Sequence, residues 1–159
     1  MRNQTSPRRK VMERKASDNK YLHKDFHLSM NILLSYIYEN FGKEKLIGYL
    51  GQYAEAYHQP LKRELQTGDL GALYRYFTGI YEKEEWPVKI NYGENVLEIS
   101  QDACPGITHI RAKGQKPCPH YEETYHTVYS TLCTNTPFEY ALEYFDAETG
   151  ACKQRFTRK

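Results

Sequence analysis

The stretch WPVKINYGENVLEIS, residues 86–100, is where the hydrophobic period of the chain changes. From Val88 to Tyr92 apolar residues alternate with polar ones, which is typical of a strand with one buried face. A turn begins at Gly93, and a second apolar run at 96–99 completes a predicted β-hairpin. The segment therefore separates a helical part of the chain from a part that carries strands.

Before this hairpin the apolar residues recur at helical steps of three and four. The pattern is clearest from Leu22 to Phe41, and Gly42 follows in a position suited to the end of a helix. Pro60 and the turn at Thr67-Gly68-Asp69 mark further boundaries. The predicted helices span residues 19–41, 46–57, 61–66 and 70–82.

After the hairpin, helices and strands follow in a mixed order. A short helix is predicted at 107–112, a longer one from Pro119 to Cys133, and two strands at 138–145 and 152–156. Strands that are joined by hairpins form antiparallel sheets. We therefore predict an α+β fold, in which a helical N-terminal half packs on a small antiparallel sheet, with one or two helices inserted between the hairpins.

Length and charge define the domain organisation. The chain of 159 residues is long enough for one domain with a single core. Residues 1–18 are polar and basic, and they are predicted to form a flexible tail before a single domain at 19–159. The net charge is only +2, and the tail carries much of the positive excess, so the composition argues against nucleic-acid binding.

The expected location is the cytoplasm. No stretch is long and apolar enough to span a membrane, and the basic N-terminal segment lacks the apolar core of a signal peptide. Cysteines in such a protein are expected to be reduced. The sequence does not determine the oligomeric state, and a homo-oligomer is one of the options.

Cys104 is the sharpest candidate for chemistry. It lies between a predicted strand and a predicted helix, and backbone N–H groups at a helix N-terminus favour a thiolate. His109 follows just over one helical turn later and could reach the same pocket. The alternative interpretation is a small cysteine buried in the core, and the residues alone give the two equal weight.

Other histidines and cysteines have weaker patterns. His126 and Cys133 are seven residues apart and share a helix face, which could supply a base or a second thiol. The alternative is a core cysteine and a histidine in the core or at its rim, and for His126 alone this alternative is favoured. His27 forms an HxxxH pair with His23 and is the better pocket candidate because apolar residues flank it. The cysteines lack the tight pairs of a structural zinc site, so no metal or other cofactor is expected.

Several short motifs in this order resemble the L-2-amino-thiazoline-4-carboxylic acid hydrolase-like family. They are Leu22–His27, the turn at Cys104-Pro105, the helix with His126 and Cys133, and the closing Gly150–Phe156. The resemblance extends from about residue 20 and implies a small cytosolic α+β protein. The named activity of the family opens a cyclic amidine, the thiazoline ring, to N-carbamoyl-L-cysteine.

The resemblance leads to a site hypothesis for a hydrolase that acts on a C–N bond of a small cyclic amidine or amide. Its catalytic residues would be Cys104, His126 and His27, and its substrate-binding residues would be Cys133, His109 and Arg111. The alternative is a non-catalytic domain that binds a small molecule, haem or a metal, and a third interpretation is a structural protein without a site. In the first two cases the expected partner is a small molecule.

Overall fold

The computed structural model describes the backbone of residues 19–159 and the side chains from residue 26 onward. The predicted tail at 1–18 and the side chain of His23 therefore lie outside the described residues. The elements are α1 (Asn19–Tyr57), α2 (Gln59–Gln66), α3 (Gly71–Glu84), β1 (Lys89–Tyr92), β2 (Val96–Gln101), α4 (Pro105–Ala112), α5 (Glu123–Cys133), β3 (Phe138–Phe145) and β4 (Cys152–Arg158).

The predicted α+β fold is confirmed. The helices α1 to α3 form the N-terminal half, and the four strands form one sheet in the order β1-β2-β4-β3 with every neighbouring pair antiparallel. In the central pair Gln101 lies opposite Cys152, so the end of β2 and the start of β4 meet at one edge of the sheet. The helix α4 begins just beyond that edge, and this arrangement positions the candidate site.

Gly42 bends α1 into two helical halves. Its φ of 82° and ψ of 177° are not helical, and they fall in a region that glycine adopts without a Cβ penalty. In a straight helix Met30 and Leu50 would be about 30 Å apart. Both belong to one apolar cluster, so the chain turns back at Gly42. The prediction that a helix ends at this glycine is confirmed.

The larger apolar cluster joins the helices to the sheet. Alternate residues of β2, among them Leu97 and Ile99, face helices α2, α3 and α5. Burial of each large apolar side chain stabilises the fold by about 1.5–3 kcal/mol. The fully buried members with the largest side chains are Leu65, Leu73, Phe77, Leu97, Ile99, Phe138 and Phe156.

The start of α5 is the predicted boundary that differs most from the structure, while other element ends differ by at most three residues. The helix α5 begins at Glu123, whereas the sequence pattern predicts its start at Pro119. His120 has a φ of 64°, and this left-handed conformation prevents a continuous helix from Pro119 onward. Residues 119–122 therefore form turns that bring Tyr121 over the start of α4.

The helices are also relevant to the membrane question. Within residues 19–159, no helix combines the length and the apolar character that are needed to cross a bilayer. Even α1, with 39 residues, carries charged side chains along its length.

Candidate functional site

A cavity of about 700 Å³ lies between α1, α3, α5 and the start of α4. Both halves of α1 contribute to its wall because the helix bends at Gly42. Tyrosines dominate the lining, since seven of the fifteen in the chain contribute to it. They are Tyr53, Tyr57, Tyr76, Tyr81, Tyr121, Tyr125 and Tyr129.

Cys104 lies at one end of this cavity, which we call the Cys104 end. It is the N-cap residue of α4, with extended backbone angles, and its side chain is buried. The Tyr125 hydroxyl donates a hydrogen bond to its Sγ at 3.0 Å. The backbone N–H groups of Ile107 and Gly106 and the Tyr121 hydroxyl also face this sulfur and stabilise its anionic form.

Burial and hydrogen bonding act in opposite directions on this thiol. Burial raises the pKa of Cys104, and the four hydrogen bonds offset this rise only in part, so the net direction is upward. The helix N-terminus favours the thiolate as the sequence suggests, but burial outweighs it. Cys104 is therefore a neutral thiol near pH 7 that is surrounded by donors suited to its anion.

Gln101 sets the orientation of the Tyr125 hydroxyl. Its Nε2 donates to the Tyr125 oxygen at 3.1 Å and to the carbonyl of Gly150 at 3.1 Å, while its Oε1 accepts from the Tyr81 hydroxyl at 2.7 Å. The amide thus makes hydrogen bonds through both its groups. Because the Tyr125 oxygen accepts from Gln101, its own proton points toward Cys104.

Gly150 packs directly against the cysteine. A Cβ at this position would lie 2.3 Å from the Cys104 Cβ and 2.9 Å from Cδ1 of Ile107, and the φ of Gly150 is +72°. Only glycine meets both conditions. The backbone continues the contact, since the Cys104 N–H donates to the Thr149 carbonyl at 2.9 Å. The β3–β4 turn therefore holds the cysteine in place.

Cys152 is the second thiol of this region. Burial, and then the nearby Cys104, raise the pKa of Cys152 to about 12. Its Sγ accepts a long hydrogen bond from Gln154 at 3.5 Å. The two thiols are neighbours, and both are reduced in the structure.

His27 and Glu84 form a hydrogen-bonded pair beside Cys104. The His27 Nε2 and the Glu84 Oε1 are 2.9 Å apart, and the carboxylate side chain is buried. The other ring nitrogen, Nδ1, lies 2.9 Å from the position that a Cβ on Gly106 would occupy. Since the Gly106 N–H faces the Cys104 sulfur, the imidazole and the thiol share this end of the cavity.

The opposite end of the cavity, which we call the His58 end, is built from rings. His58 is buried, and its ring centroid lies 5.0 Å from that of Tyr57 and 5.5 Å from that of Tyr76, both in edge-to-face geometry. Burial lowers the pKa of His58 to about 4, so the imidazole is neutral near pH 7. Tyr53 and Tyr129 complete the aromatic wall.

Of the predicted site residues, only Cys104 and His27 line the cavity. His126 follows Tyr125 and is turned by about 100° away from it. Its side chain is 61% exposed, and its Nδ1 lies 3.5 Å from the Glu123 carboxylate. The structure therefore places His126 on the solvent face of α5.

The other predicted contacts also lie elsewhere in the fold. Cys133 packs in the larger apolar cluster, and burial raises its pKa to about 12. Arg111 pairs with Glu148 at the surface, at 3.0 Å. His109 is half-buried on α4 and is not among the described residues that line the cavity. These residues do not converge on Cys104.

The sequence interpretation missed several residues of the site. Gln101 could have been found, because it continues the inward alternation of Leu97 and Ile99 along β2. Tyr125 and Tyr129 could also have been found from their spacing of one helical turn. Glu84 had no local signal, because its partner His27 is 57 residues away.

The site does not have the composition of a metal centre. Across the side chains that the structure describes, no three histidine, cysteine, aspartate or glutamate residues converge in a way that could hold an ion. The reactive groups that line the Cys104 end are instead the thiol of Cys104, the imidazole of His27 and the carboxylate of Glu84. Such a set performs nucleophilic and acid–base chemistry.

The chain matches no protein-family model and none of the curated proteins with which it was compared. The resemblance to the L-2-amino-thiazoline-4-carboxylic acid hydrolase-like family therefore stays a prediction. The function has to be inferred from the geometry of the cavity.

Proposed function

We propose that this protein is a hydrolase that cleaves a C–N bond of a cyclic amidine or amide, with Cys104 as nucleophile and His27 as base. The observation that supports this proposal is that a cysteine, a histidine and a glutamate line one end of a large cavity. There, a buried thiol with four hydrogen-bond donors lines the same end of the cavity as an imidazole that is hydrogen-bonded to a carboxylate. A nucleophile, a base and a group that orients the base are the elements of nucleophilic catalysis.

The first step is transfer of the thiol proton to His27. When Glu84 is ionised it can only accept, so the 2.9 Å contact assigns the imidazole proton to Nε2. The Nδ1 atom, on the Gly106 side, then carries the lone pair that accepts a proton. The negative charge develops on Cys104 among donors that are already in place, which lowers the cost of a thiolate whose pKa burial raises.

The covalent steps follow from this ion pair. The sulfur attacks the amidine or carbonyl carbon and forms a C–S bond, and the ring C–N bond then breaks. The nitrogen leaves with the proton from His27, so the ring opens while the carbon stays on the enzyme. Water then attacks the same carbon and gives one proton to His27. The C–S bond breaks, and the proton returns to Cys104.

This proposal modifies the site that the sequence suggests. It keeps Cys104 and His27, adds Glu84 as a positioning residue, and omits His126, whose side chain is mostly exposed. It shares with the resemblance to the L-2-amino-thiazoline-4-carboxylic acid hydrolase-like family the hydrolytic opening of a ring at an amidine carbon. It differs in the bond, because the thiazoline opens to N-carbamoyl-L-cysteine by cleavage of its ring C–S bond. It also includes a cytoplasmic location, which four cysteines without disulfides support.

A second candidate function is binding without catalysis. Burial raises the pKa of Cys104, and tyrosines form much of the cavity wall, as expected of a domain that holds a small molecule. In this case Cys104 would be a small apolar contact.

Turnover by cysteine variants distinguishes the two functions. Purified protein would be incubated with cyclic amidines and lactams, including 2-amino-thiazoline-4-carboxylate, and ring opening followed by mass spectrometry. We expect wild type to open at least one compound and Cys104→Ala to be slower by at least about a thousandfold. Cys133→Ala is the matched control, because this buried thiol lies outside the cavity. Full turnover by Cys104→Ala would contradict the proposal. Binding without ring opening would favour the second function.

A further inference from the structure

The volume of the cavity is large for a small heterocycle. A cavity of about 150 Å³ holds a single benzene ring. The cavity that contains Cys104 is about 700 Å³, more than four times this size. A lone five-membered ring would leave most of this volume unoccupied, and the space is therefore matched to a much larger molecule.

The two ends of the cavity are well separated. The helix α3 runs along it from Tyr76 at the His58 end to Glu84 at the Cys104 end. With a rise of 1.5 Å per residue, these two positions are about 12 Å apart along the helix axis. The helix α5 also extends from one end of the cavity to the other. Tyr125 contacts Cys104, and the ring centroid of Tyr129 lies 6.3 Å from that of His58.

The His58 end has the chemistry of an aromatic binding pocket. Its wall consists of tyrosine rings around a neutral imidazole, and such rings prefer flat partners in stacked or edge-to-face contact. Arg75 is the cation at this end, but it is 60% exposed and its guanidinium contacts Asp69 at 2.8 Å and Glu64 at 3.0 Å. The charge of Arg75 is thus already balanced by carboxylates of the protein itself.

From these observations we infer that the substrate is an elongated molecule with a flat, uncharged ring system of two or more rings. This ring system binds at the His58 end, while the reactive amidine or amide carbon lies next to Cys104. The inference rests on the proposed function and specifies the substrate class of the same site. A free amino-acid-derived thiazoline is too small to match this description.

Gly79 provides a specific way to block the His58 end. It lies on α3 between Tyr76 and Glu84, lines the cavity, and a Cβ built on it meets no atom within 4 Å. Gly79→Leu would therefore fill cavity space without a backbone clash. Gly48→Leu is the matched control, because Gly48 is an exposed helical glycine that also has open space and is not part of the lining.

The first measurement uses N-phenyl-1-naphthylamine, a neutral ring compound whose fluorescence rises in apolar sites. We expect saturable binding with one site per chain to wild type, to Cys104→Ala and to Gly48→Leu. Gly79→Leu should weaken the affinity at least tenfold. Absence of saturable binding to wild type, or equal affinity of Gly79→Leu and Gly48→Leu, would overturn the inference.

The second measurement separates this inference from the proposed function. Iodoacetamide and N-(1-naphthyl)iodoacetamide would be compared at Cys104 by mass spectrometry, each normalised to its rate with glutathione. We expect the naphthyl reagent to react at least tenfold faster, with saturation, and Gly79→Leu to remove this advantage. Equal normalised rates would overturn the inference while turnover that depends on Cys104 still supports hydrolysis. Saturable naphthyl binding together with full turnover by Cys104→Ala would support ring recognition and contradict the nucleophile.

Discussion

The two ends of the cavity differ in the surroundings of their polar side chains. At the Cys104 end, hydrogen bonds link the thiol to Tyr125 and the amide of Gln101, and a separate hydrogen bond links the His27 imidazole to the Glu84 carboxylate, all between 2.7 and 3.1 Å long. At the His58 end, an imidazole is buried among tyrosine rings, and burial lowers its pKa to about 4. Both ends contain a histidine, but only His27 is paired with a carboxylate.

This difference shows that two residues of the same type can differ in chemical role because their surroundings differ. A carboxylate partner fixes the orientation of an imidazole through a hydrogen bond, as for His27. Apolar burial without such a partner keeps an imidazole neutral and makes it a part of the wall, as for His58. One cavity therefore combines an end where a histidine is hydrogen-bonded to a carboxylate with an end where a histidine is buried among aromatic rings.

The largest expected effect tests how tightly the Cys104 end is packed. Gly150→Ala should lower the free energy of unfolding by about 4 kcal/mol, because the new Cβ would lie 2.3 Å from that of Cys104 and the φ of +72° is strained. Urea unfolding measures this loss. Gly114→Ala is the control, since Gly114 has the same φ but no atom within 4 Å, and it should lose only about 1 kcal/mol. Similar losses in both variants would mean that the packing around Cys104 is loose.

The next effect concerns the pH dependence of the His58 end. The pKa of His58 is about 4 in the folded protein and 6.5 ordinarily, so between these values the unfolded chain binds the additional proton. Stability should therefore fall as the pH drops from 6.5 to 4, by about 3 kcal/mol over the window. Urea unfolding at several pH values should show a smaller loss in His58→Gln than in wild type.

A matched histidine provides the control for this titration. His126 lies outside the cavity and its side chain is 61% exposed, so His126→Gln is the control for loss of a histidine at the surface. If the stability of His58→Gln depends on pH in the same way as that of wild type, burial does not keep the His58 imidazole neutral. The proposed difference between the two ends of the cavity would then be wrong.

A smaller effect tests the donors at the Cys104 end. Tyr125→Phe removes the 3.0 Å hydrogen bond to the sulfur, so the pKa of Cys104 should rise further. A hydrogen bond of about 1 kcal/mol corresponds to about a fivefold slower reaction of Cys104 with iodoacetamide at pH 8. Tyr144→Phe, which changes a 55% exposed tyrosine on β3, should leave the rate unchanged. An unchanged rate in Tyr125→Phe would mean that this hydroxyl does not stabilise the thiolate of Cys104.

The smallest effect concerns the wall between the two ends. Gly79→Ala should raise the free energy of unfolding by about 0.7 kcal/mol, because alanine is favoured over glycine in a helix and the new Cβ meets open space. Gly48→Ala, at an exposed helical position with equal space, should give the same gain. Thermal unfolding of the two variants measures the difference. A loss of stability in Gly79→Ala would mean that this part of the cavity is more tightly packed than the structure indicates.

Most of the fold could be predicted from local patterns. The change of period at Trp86, the stop at Gly42 and the turn that ends at Gly150 are decided by nearby residues, and the structure has elements where these signals place them. The exception is the start of α5. Pro119 predicts a helix start at this position, but the left-handed backbone of His120 moves the start to Glu123. A positive φ is uncommon even for histidine, so the presence of His120 alone does not predict it.

The candidate site was less predictable, because its members meet only after folding. The position of Cys104 between a strand and a helix is a local property and was expected. The pairing of His27 with Glu84 depends on the bend of α1 and on the packing of α3, which no local pattern encodes. His126 was preferred for its neighbours in sequence, and the helical rotation that turns it to solvent depends on which face of α5 is buried.

The hydrogen bonds from Tyr81 through Gln101 to Tyr125 have a direction. Each member donates to the next, and the last donates to the sulfur of Cys104, so all their dipoles point the same way. Such an alignment polarises every bond in the series. When charge appears on the sulfur, no hydroxyl or amide has to rotate to meet it, and the reorganisation energy of forming the thiolate is correspondingly small.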